Sequence, residues 1–287
     1  MIGVDIGGTG IKGGIVNLAT GCIEGTLVRQ ATPQPATPQA VAATVAQIVQ
    51  ELNQREDAPE AGIPVGVTYP GIIQNGYARS AANMDPTWID FEITTLFTET
   101  LARQVEVLND ADAAGLAEVK YGAGRGVDGT VLVVTLGTGI GSAFIFNGKL
   151  VPNAELGHLE LDGHNAESKA SAVARERQGL SWQEYSVLLQ RYFSHVEFLF
   201  SPELIIVGGG ISARADEYLP GISLRTPIVP AILENEAGII GAALQGATRT
   251  GNLPNNLLAE PGPPEPGGTW PNLFLPAQER QRRSSSP

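Results

Sequence analysis

The sequence holds a single cysteine, Cys22, and three histidines in 287 residues. An intrachain disulfide is therefore impossible and a cysteine-based zinc cluster is excluded, so a reducing compartment is the expected setting. Charge is scarce as well: charged residues make up 17% of the chain, and 18 basic against 30 acidic side chains leave a formal net charge of -12. That balance disfavours general binding to nucleic acid or to anionic membranes, and any polyanion must find a local basic patch. No apolar run approaches the length needed to cross a bilayer. The chain opens on Ile2-Gly3-Val4-Asp5-Ile6 with no basic segment or cleavage site of a secretory leader, so a cytoplasmic protein is expected. The pattern GxxxxGK[ST] is also missing, which argues against a P-loop enzyme.

What is present fits a folded, loop-rich enzyme: 43% hydrophobic residues and 35 glycines. A chain of this length exceeds one ordinary core and suits two packed α/β lobes. Ile2 to Ile6 reads as a buried strand. Gly7-Gly8-Thr9-Gly10 then turns the chain into a second strand, Ile11 to Asn17, and Ala19-Thr20-Gly21 turns it into a third, Cys22 to Arg29. From Pro38 to Asn53 the apolar residues Val41, Val45, Ile48, Val49 and Leu52 share one helical face, and Val65-Gly66-Val67 follows as a strand. A similar order begins near residue 130. Val134-Thr135-Leu136-Gly137-Thr138-Gly139-Ile140 parallels Val4 to Ile11 with one glycine fewer, and each copy leads into an apolar strand and a tight turn. This reads as a duplicated lobe, with a chance likeness of glycine-rich turns as the alternative. Helix-rich sequence from Ser168 to Phe200, the strand Leu204 to Val207 running into Gly208-Gly209-Gly210, and a Gly- and Ala-rich helix from Glu236 to Gln245 complete the second half. The expected division is a small lobe over 1–110, a large lobe over 111–251 and a Pro-, Gly- and Ser-rich tail over 252–287.

Glycine turns that follow apolar strands let backbone amides approach phosphate oxygens, and Thr9, Thr138 and Lys12 add donors beside them. Gly8 to Gly13 formally matches the dinucleotide fingerprint GxGxxG. That motif must open a helix, whereas Gly13-Gly14-Ile15-Val16-Asn17 reads as a strand, so a nucleotide-dependent oxidoreductase is rejected. Val105 to Asn109 looks like a strand that delivers Asp110 to a strand end and a helix start, the place where α/β proteins present ligand-binding groups. Asp110 and Asp112 could equally be helix caps. Glu155 and His158 stand three residues apart with Glu167 beyond them, a set able to donate to and accept from hydroxyls; His158 taken alone could be structural. His158 with His164 makes a poor zinc set.

Together, Asp5 to Lys12, Leu108-Asn109-Asp110-Ala111-Asp112-Ala113, Leu136 to Gly141, Glu155-Leu156-Gly157-His158 and Val207 to Gly210 resemble the repressor, open reading frame and kinase (ROK) family of sugar kinases, over roughly residues 1 to 248. The run Val151 to His164 is most similar to members that phosphorylate glucose from inorganic polyphosphate. The resemblance implies an α/β, two-lobed actin-like or hexokinase (ribonuclease H-like) fold with duplicated βββαβα units, and phosphoryl transfer from polyphosphate or ATP to the 6-hydroxyl of glucose, with mannose as a second sugar. It implies that Asp110 is the general base, and that Asn109, Glu155, His158 and Glu167, with Gly71 and Asn83 of the small lobe, contact the sugar. Gly7, Gly8, Thr9, Gly10 and Lys12, with Gly137, Thr138 and Gly139, would hold the donor phosphates. Gly209 and Gly210 would lie on the nucleoside side and Asp5 near Mg2+, and a homodimer is expected. Most members follow the matched histidine with a cysteine-rich zinc loop. Here Gly163-His164-Asn165-Ala166-Glu167 has no cysteine, so zinc should be absent and the loop should be held by packing alone. Repressor members carry a DNA-binding domain ahead of the first strand; with this sequence opening on that strand, none is expected here. A polyanionic donor on an acidic chain needs a positive track, for which Lys12, Lys120, Arg125 and Lys149 are the candidates. Three rival readings are an ATP-only glucokinase, a polyphosphate-degrading phosphohydrolase of the same fold, and a sugar sensor without activity.

Overall fold

The computed structural model of the protein describes residues 1–82 and 84–251; Asn83 and the tail over 252–287 lie outside them. In chain order the first half contains β1 (Ile2–Ile6), β2 (Gly10–Asn17), β3 (Cys22–Ala31), α1 (Pro38–Asn53), β4 (Val65–Tyr69), β5 (Ile73–Gln74), β6 (Tyr77–Ala78), β7 (Phe91–Glu92), α2 (Ile93–Leu101), β8 (Val105–Asn109) and α3 (Asp110–Tyr121). The second half contains β9 (Thr130–Leu136), β10 (Ile140–Phe146), β11 (Lys149–Val151), β12 (Glu160–Leu161), β13 (His164–Asn165), α4 (Glu167–Ala170), α5 (Ala172–Gln178), α6 (Trp182–Phe200), β14 (Leu204–Gly208), α7 (Ala215–Tyr218), β15 (Ile228–Pro230) and α8 (Ala237–Thr250).

Two five-stranded sheets carry the fold, in the orders β3-β2-β1-β4-β8 and β11-β10-β9-β14-β15. In each, an antiparallel meander of three strands is extended on one side by two parallel strands. Numbered among the strands of each sheet alone, both orders are 3-2-1-4-5, so the glycine-turn likeness reflects a duplicated unit. Parallel extension requires helical crossovers, which α1 supplies in the first unit and the α4 to α6 stretch in the second. The helix α1 forms as its periodicity requires. Thr37 caps it by accepting from Ala40 N, Pro38 occupies its first turn, and Val41, Val45, Ile48, Val49 and Leu52 are buried against the sheet. Each such side chain contributes about 1.5–3 kcal/mol.

Between the two sheets lie α3 and α8, packed on one another. The first covers β9 and β10, while the second lies across β1, β4 and β8. The last helix among the described residues therefore returns to the first sheet, although a division by sequence places it in the large lobe. Glycines make this close approach possible: a Cβ on Gly66 would lie 1.8 Å from Ala242 O, and one on Gly241 would lie 1.8 Å from Ala113 O. Of the described residues, the β5-β6-β7 sheet and α2 were not legible as elements in the sequence, because two-residue strands carry no periodicity. Buried Trp88, Tyr69 and Phe97 pack beneath them.

Candidate active site

A cleft of about 520 Å³ opens where the glycine turns of both units meet the start of α3. Its floor is the junction of β8 and α3. The helix needs a cap for its free amides, and Asn109 provides it by accepting from Asp112 N at 3.0 Å. Asp110 is thus the first residue of the helix, and Asn109 is its cap. Its Oδ1 accepts from Ala111 N at 2.8 Å, and the side chain faces the cleft. Burial pushes the Asp110 carboxyl up to about 7; the charges of Asp5 and Glu155 push the same way, against the Ala111 amide. A carboxyl near neutrality at the floor of a cleft is able to take a proton from a bound hydroxyl. Asn109 itself also donates through Nδ2 to Gly71 O at 3.2 Å, which fixes the Gly71 loop against the floor.

One wall is made by the first glycine turn. Gly7 N donates to Gly10 O at 2.9 Å, and Gly137 N makes the equivalent bond to Gly139 O at 3.0 Å in the second unit. Gly7, Gly8, Gly137, Thr138, Gly139 and Gly209 line the cleft, whereas Thr9, Gly10 and Gly210 do not. Thr9 is exposed, and its carbonyl accepts from Thr32 N at 3.2 Å. Lys12 reaches in from β2: its Nζ lies 3.1 Å from Asp5 Oδ2 and donates to Asn235 O at 2.6 Å. The other carboxylate oxygen of Asp5 accepts from Thr68 Oγ1 at 2.6 Å. Of the four cations expected to form a positive track, Lys12 alone lines the cleft; Lys120, Arg125 and Lys149 do not, and Lys149 begins β11 just past the β10-β11 turn.

Glu155, His158 and Glu167 line the same cleft. His158 Nδ1 lies 2.8 Å from Asn165 Nδ2, and its Nε2 faces Glu155. That Nε2 lies 3.7 Å from Glu155 Oε2. Burial raises the Glu155 carboxyl above its ordinary value, His158 lowers it, and Glu167 raises it further. Glu167 has a second task, since its Oε2 accepts from Ile140 N at 3.1 Å and closes the second glycine turn. A Cβ on Gly139 would collide with that oxygen. The loop leading to Glu167 is not held by packing alone. It folds as the β12-β13 hairpin, pins Ala166 N to Leu159 O at 2.9 Å, and is braced by an Arg191 to Asp162 ion pair at 2.7 Å. His164 is exposed on that hairpin. Asn83 lies outside the described residues.

Two buried carboxyls of α3 have roles that were not anticipated. Glu118, on α3, is 1% exposed; its oxygens accept from Ala123 N, Ile232 N and Leu233 N at 2.9, 3.0 and 2.8 Å. It thereby holds the segment that brings Asn235 to Lys12. Helical spacing from Asp110 hints at it, since residues eight apart share a helix face. The second is Asp112, whose burial pushes it up to about 7 and whose Oδ1 is buried without a hydrogen-bond partner.

Two duplicated units facing one another across such a cleft, with a carboxyl on its floor and a glycine turn from each unit on its walls, define the actin-like, hexokinase-type class. Within it, the chain belongs to the ROK family, whose model matches residues 1–171. A polyphosphate glucokinase of Mycobacterium tuberculosis is 47% identical over 249 residues, covering 86% of this chain and 91% of the relative. The crystal structure of an inorganic polyphosphate/ATP-glucomannokinase from Arthrobacter sp. strain KM is 72% identical with a TM-score of 0.83, covering 87% of this chain and 98% of that one. A ROK family glucokinase from Streptomyces griseus, solved with glucose and AMPPNP, is 25% identical with a TM-score of 0.73, covering 85% and 98%.

Proposed function

We propose that the protein is a glucose kinase that transfers a phosphoryl group from inorganic polyphosphate or ATP to the 6-hydroxyl of glucose, and that it also accepts mannose. The observation that carries this reading is the Asp110 carboxyl, raised to about 7, sharing one cleft with both glycine turns and with Glu155, His158 and Glu167. Likeness to the Mycobacterium and Arthrobacter proteins supports the donor and the sugar. In such a transfer the protein mainly positions the reactants and offsets charge. Asp110 takes the hydroxyl proton as the oxygen attacks. Glu155, His158 and Glu167 hold the remaining hydroxyls, and the amides of the glycine turns face the donor phosphates beside Lys12.

Mg2+ is expected with the donor. Among the described residues no group of three or more His, Cys, Asp or Glu side chains is arranged to hold a metal. Asp5 alone lies beside the first glycine turn, and this fits an ion that keeps its water and rides on substrate phosphates with one carboxylate in contact. Bound there, the ion would offset phosphate charge. No helix among the described residues is long and apolar enough to cross a membrane, and a cytoplasmic homodimer, with the first unit formed by 1–110 and joined by α8, completes the proposal.

The reading is tested by assaying glucose, mannose and no sugar against polyphosphate and ATP. Phosphate release independent of sugar would favour a phosphohydrolase, and activity with ATP alone would favour the ATP-only rival. Two further outcomes are expected. Glu155→Gln or His158→Ala should raise the glucose KM by about 5- to 150-fold, the equivalent of roughly 1–3 kcal/mol for unpaired hydroxyls, and a KM within twofold of wild type would remove that residue from the sugar site. The kcat/KM for glucose should fall on the acid side with a midpoint near 7, because the base must be unprotonated. A profile flat from pH 8 down to 5.5 would assign the base elsewhere.

A further inference from the structure

The segment between β11 and Glu155 carries a residue, Asn153, whose side chain is spent entirely on the opposite unit. Its φ of 61° lies in the left-handed region, which asparagine tolerates better than most residues. In that conformation Asn153 Oδ1 accepts from Ile73 N at 3.0 Å and Nδ2 donates to Ile73 O at 2.9 Å. One amide thus stands in for a neighbouring strand at β5, on an edge that otherwise has only β6 beside it. The backbone N of the same residue donates to Asp112 Oδ2 at 2.8 Å. Asp112 is 1% exposed, and its own N is bound by Asn109, which also holds Gly71 O.

These bonds form a closed circuit through Gly71, Asn109, Asp112, Asn153 and Ile73. It ties together three things that the sugar reading needs in register: the small-unit loop at Gly71, the start of α3 with Asp110, and the segment that ends in Glu155. Ser142 anchors that segment from behind, accepting from Leu156 N at 2.9 Å and donating to Ala154 O. Asp110 and Glu155 touch the cleft, whereas Asn153 and Asp112 do not line it.

We propose that Asn153 is a positioning residue for the acceptor sugar, clasping the β5 edge of the first unit to the Glu155 segment of the second, with Asp112 as the buried anchor of the clasp. The proposal rests on the sugar-kinase reading of the cleft. Because the donor turns are held by other contacts, the clasp acts on the acceptor side alone.

Asn153→Gly keeps the left-handed backbone and removes only the side chain. It should raise the glucose KM at least tenfold while the donor KM stays within twofold. A glucose KM within twofold of wild type, or a parallel rise in both constants, would overturn the proposal. Asp112→Ala should behave like Asn153→Gly, and Asp112→Asn, which keeps an oxygen for the Asn153 amide, should recover the glucose KM to within threefold; equal damage from both changes would remove Asp112 as the anchor. Amide hydrogen exchange on the full chain provides a readout independent of activity. In Asn153→Gly, segments 71–74 and 153–156 should lose protection together, and loss confined to one of them would overturn the clasp. If wild-type protein fails to phosphorylate any sugar, the kinase reading falls, while exchange still decides the clasp.

Discussion

Asp110→Asn should lower kcat for glucose phosphorylation by about 10²- to 10⁴-fold, the usual worth of a positioned general base, while leaving glucose affinity within a few-fold. Asparagine keeps the oxygen that accepts from Ala111 N, so the first turn of α3 is undisturbed. What it lacks is a site for the proton. The same change should stabilise the fold at alkaline pH. The carboxyl's ordinary value is 3.8 and in the folded protein it is about 7, so between those values the native state holds a proton that the unfolded chain has released. The contribution of Asp110 to stability is complete below about 3.8 and is lost as pH rises through about 7. Asn, neutral throughout, escapes that loss. Melting curves should therefore show Asp110→Asn above wild type at pH 8, with the difference vanishing toward pH 4. Turnover within threefold of wild type would place the base elsewhere, and a stability difference that grows toward acid pH would contradict the electrostatics of the cleft floor.

Gly241→Ala is expected to destabilise by about 3 kcal/mol or more, and here the sign of the effect is the test. At an exposed position inside a helix this change stabilises by roughly 1 kcal/mol through backbone entropy. Gly241 faces α3, where a new methyl carbon would stand 1.8 Å from Ala113 O and 2.4 Å from Ala113 C. Backbone atoms cannot swing aside as a side chain end can, so α3 and α8 must separate. Separation would disturb both sheets, since each helix covers one of them. Overpacking costs typically about 1–3 kcal/mol, and more where the obstacle is main chain. Urea and thermal unfolding of the purified protein would measure it, and an unchanged or raised stability would mean that the helices do not cross at Ala113.

Much of the frame was legible because it rests on local signals. Pro38–Asn53 forms the helix that its apolar spacing required, with Thr37 as a cap, and the strands β1, β2 and β9 follow the runs that lead into and out of the glycine turns. Asp110 could be singled out from its place between an apolar strand and a helical run. Its distinction from a cap could not, because the choice between Asn109 and Asp110 depends on which side chain reaches Asp112 N. The loop before Glu167 was misjudged for a similar reason: with no metal ligands to see, nothing local disclosed that β12, β13 and the Arg191 to Asp162 pair would support it. A positive track was inferred from residues near the turns in sequence, yet closeness along a helix or hairpin is not closeness to a cleft.

Sequence by itself determined the duplicated order of strands, the glycine turns that admit phosphate, the absence of any cysteine ligand set, and the family whose motifs these residues spell. Each is a property of short stretches, set by backbone freedom, by period and by residue chemistry. Tertiary structure alone decided that α8 returns to the first sheet, that Glu118 joins the turn after α3 to the distant segment at Ile232, that burial, with Asp5 and Glu155 nearby, raises Asp110 to about 7, and that Asn153 closes on Ile73 eighty positions away. Those facts depend on desolvation and on contacts between segments remote in the chain, and neither quantity exists until both units have folded around the cleft.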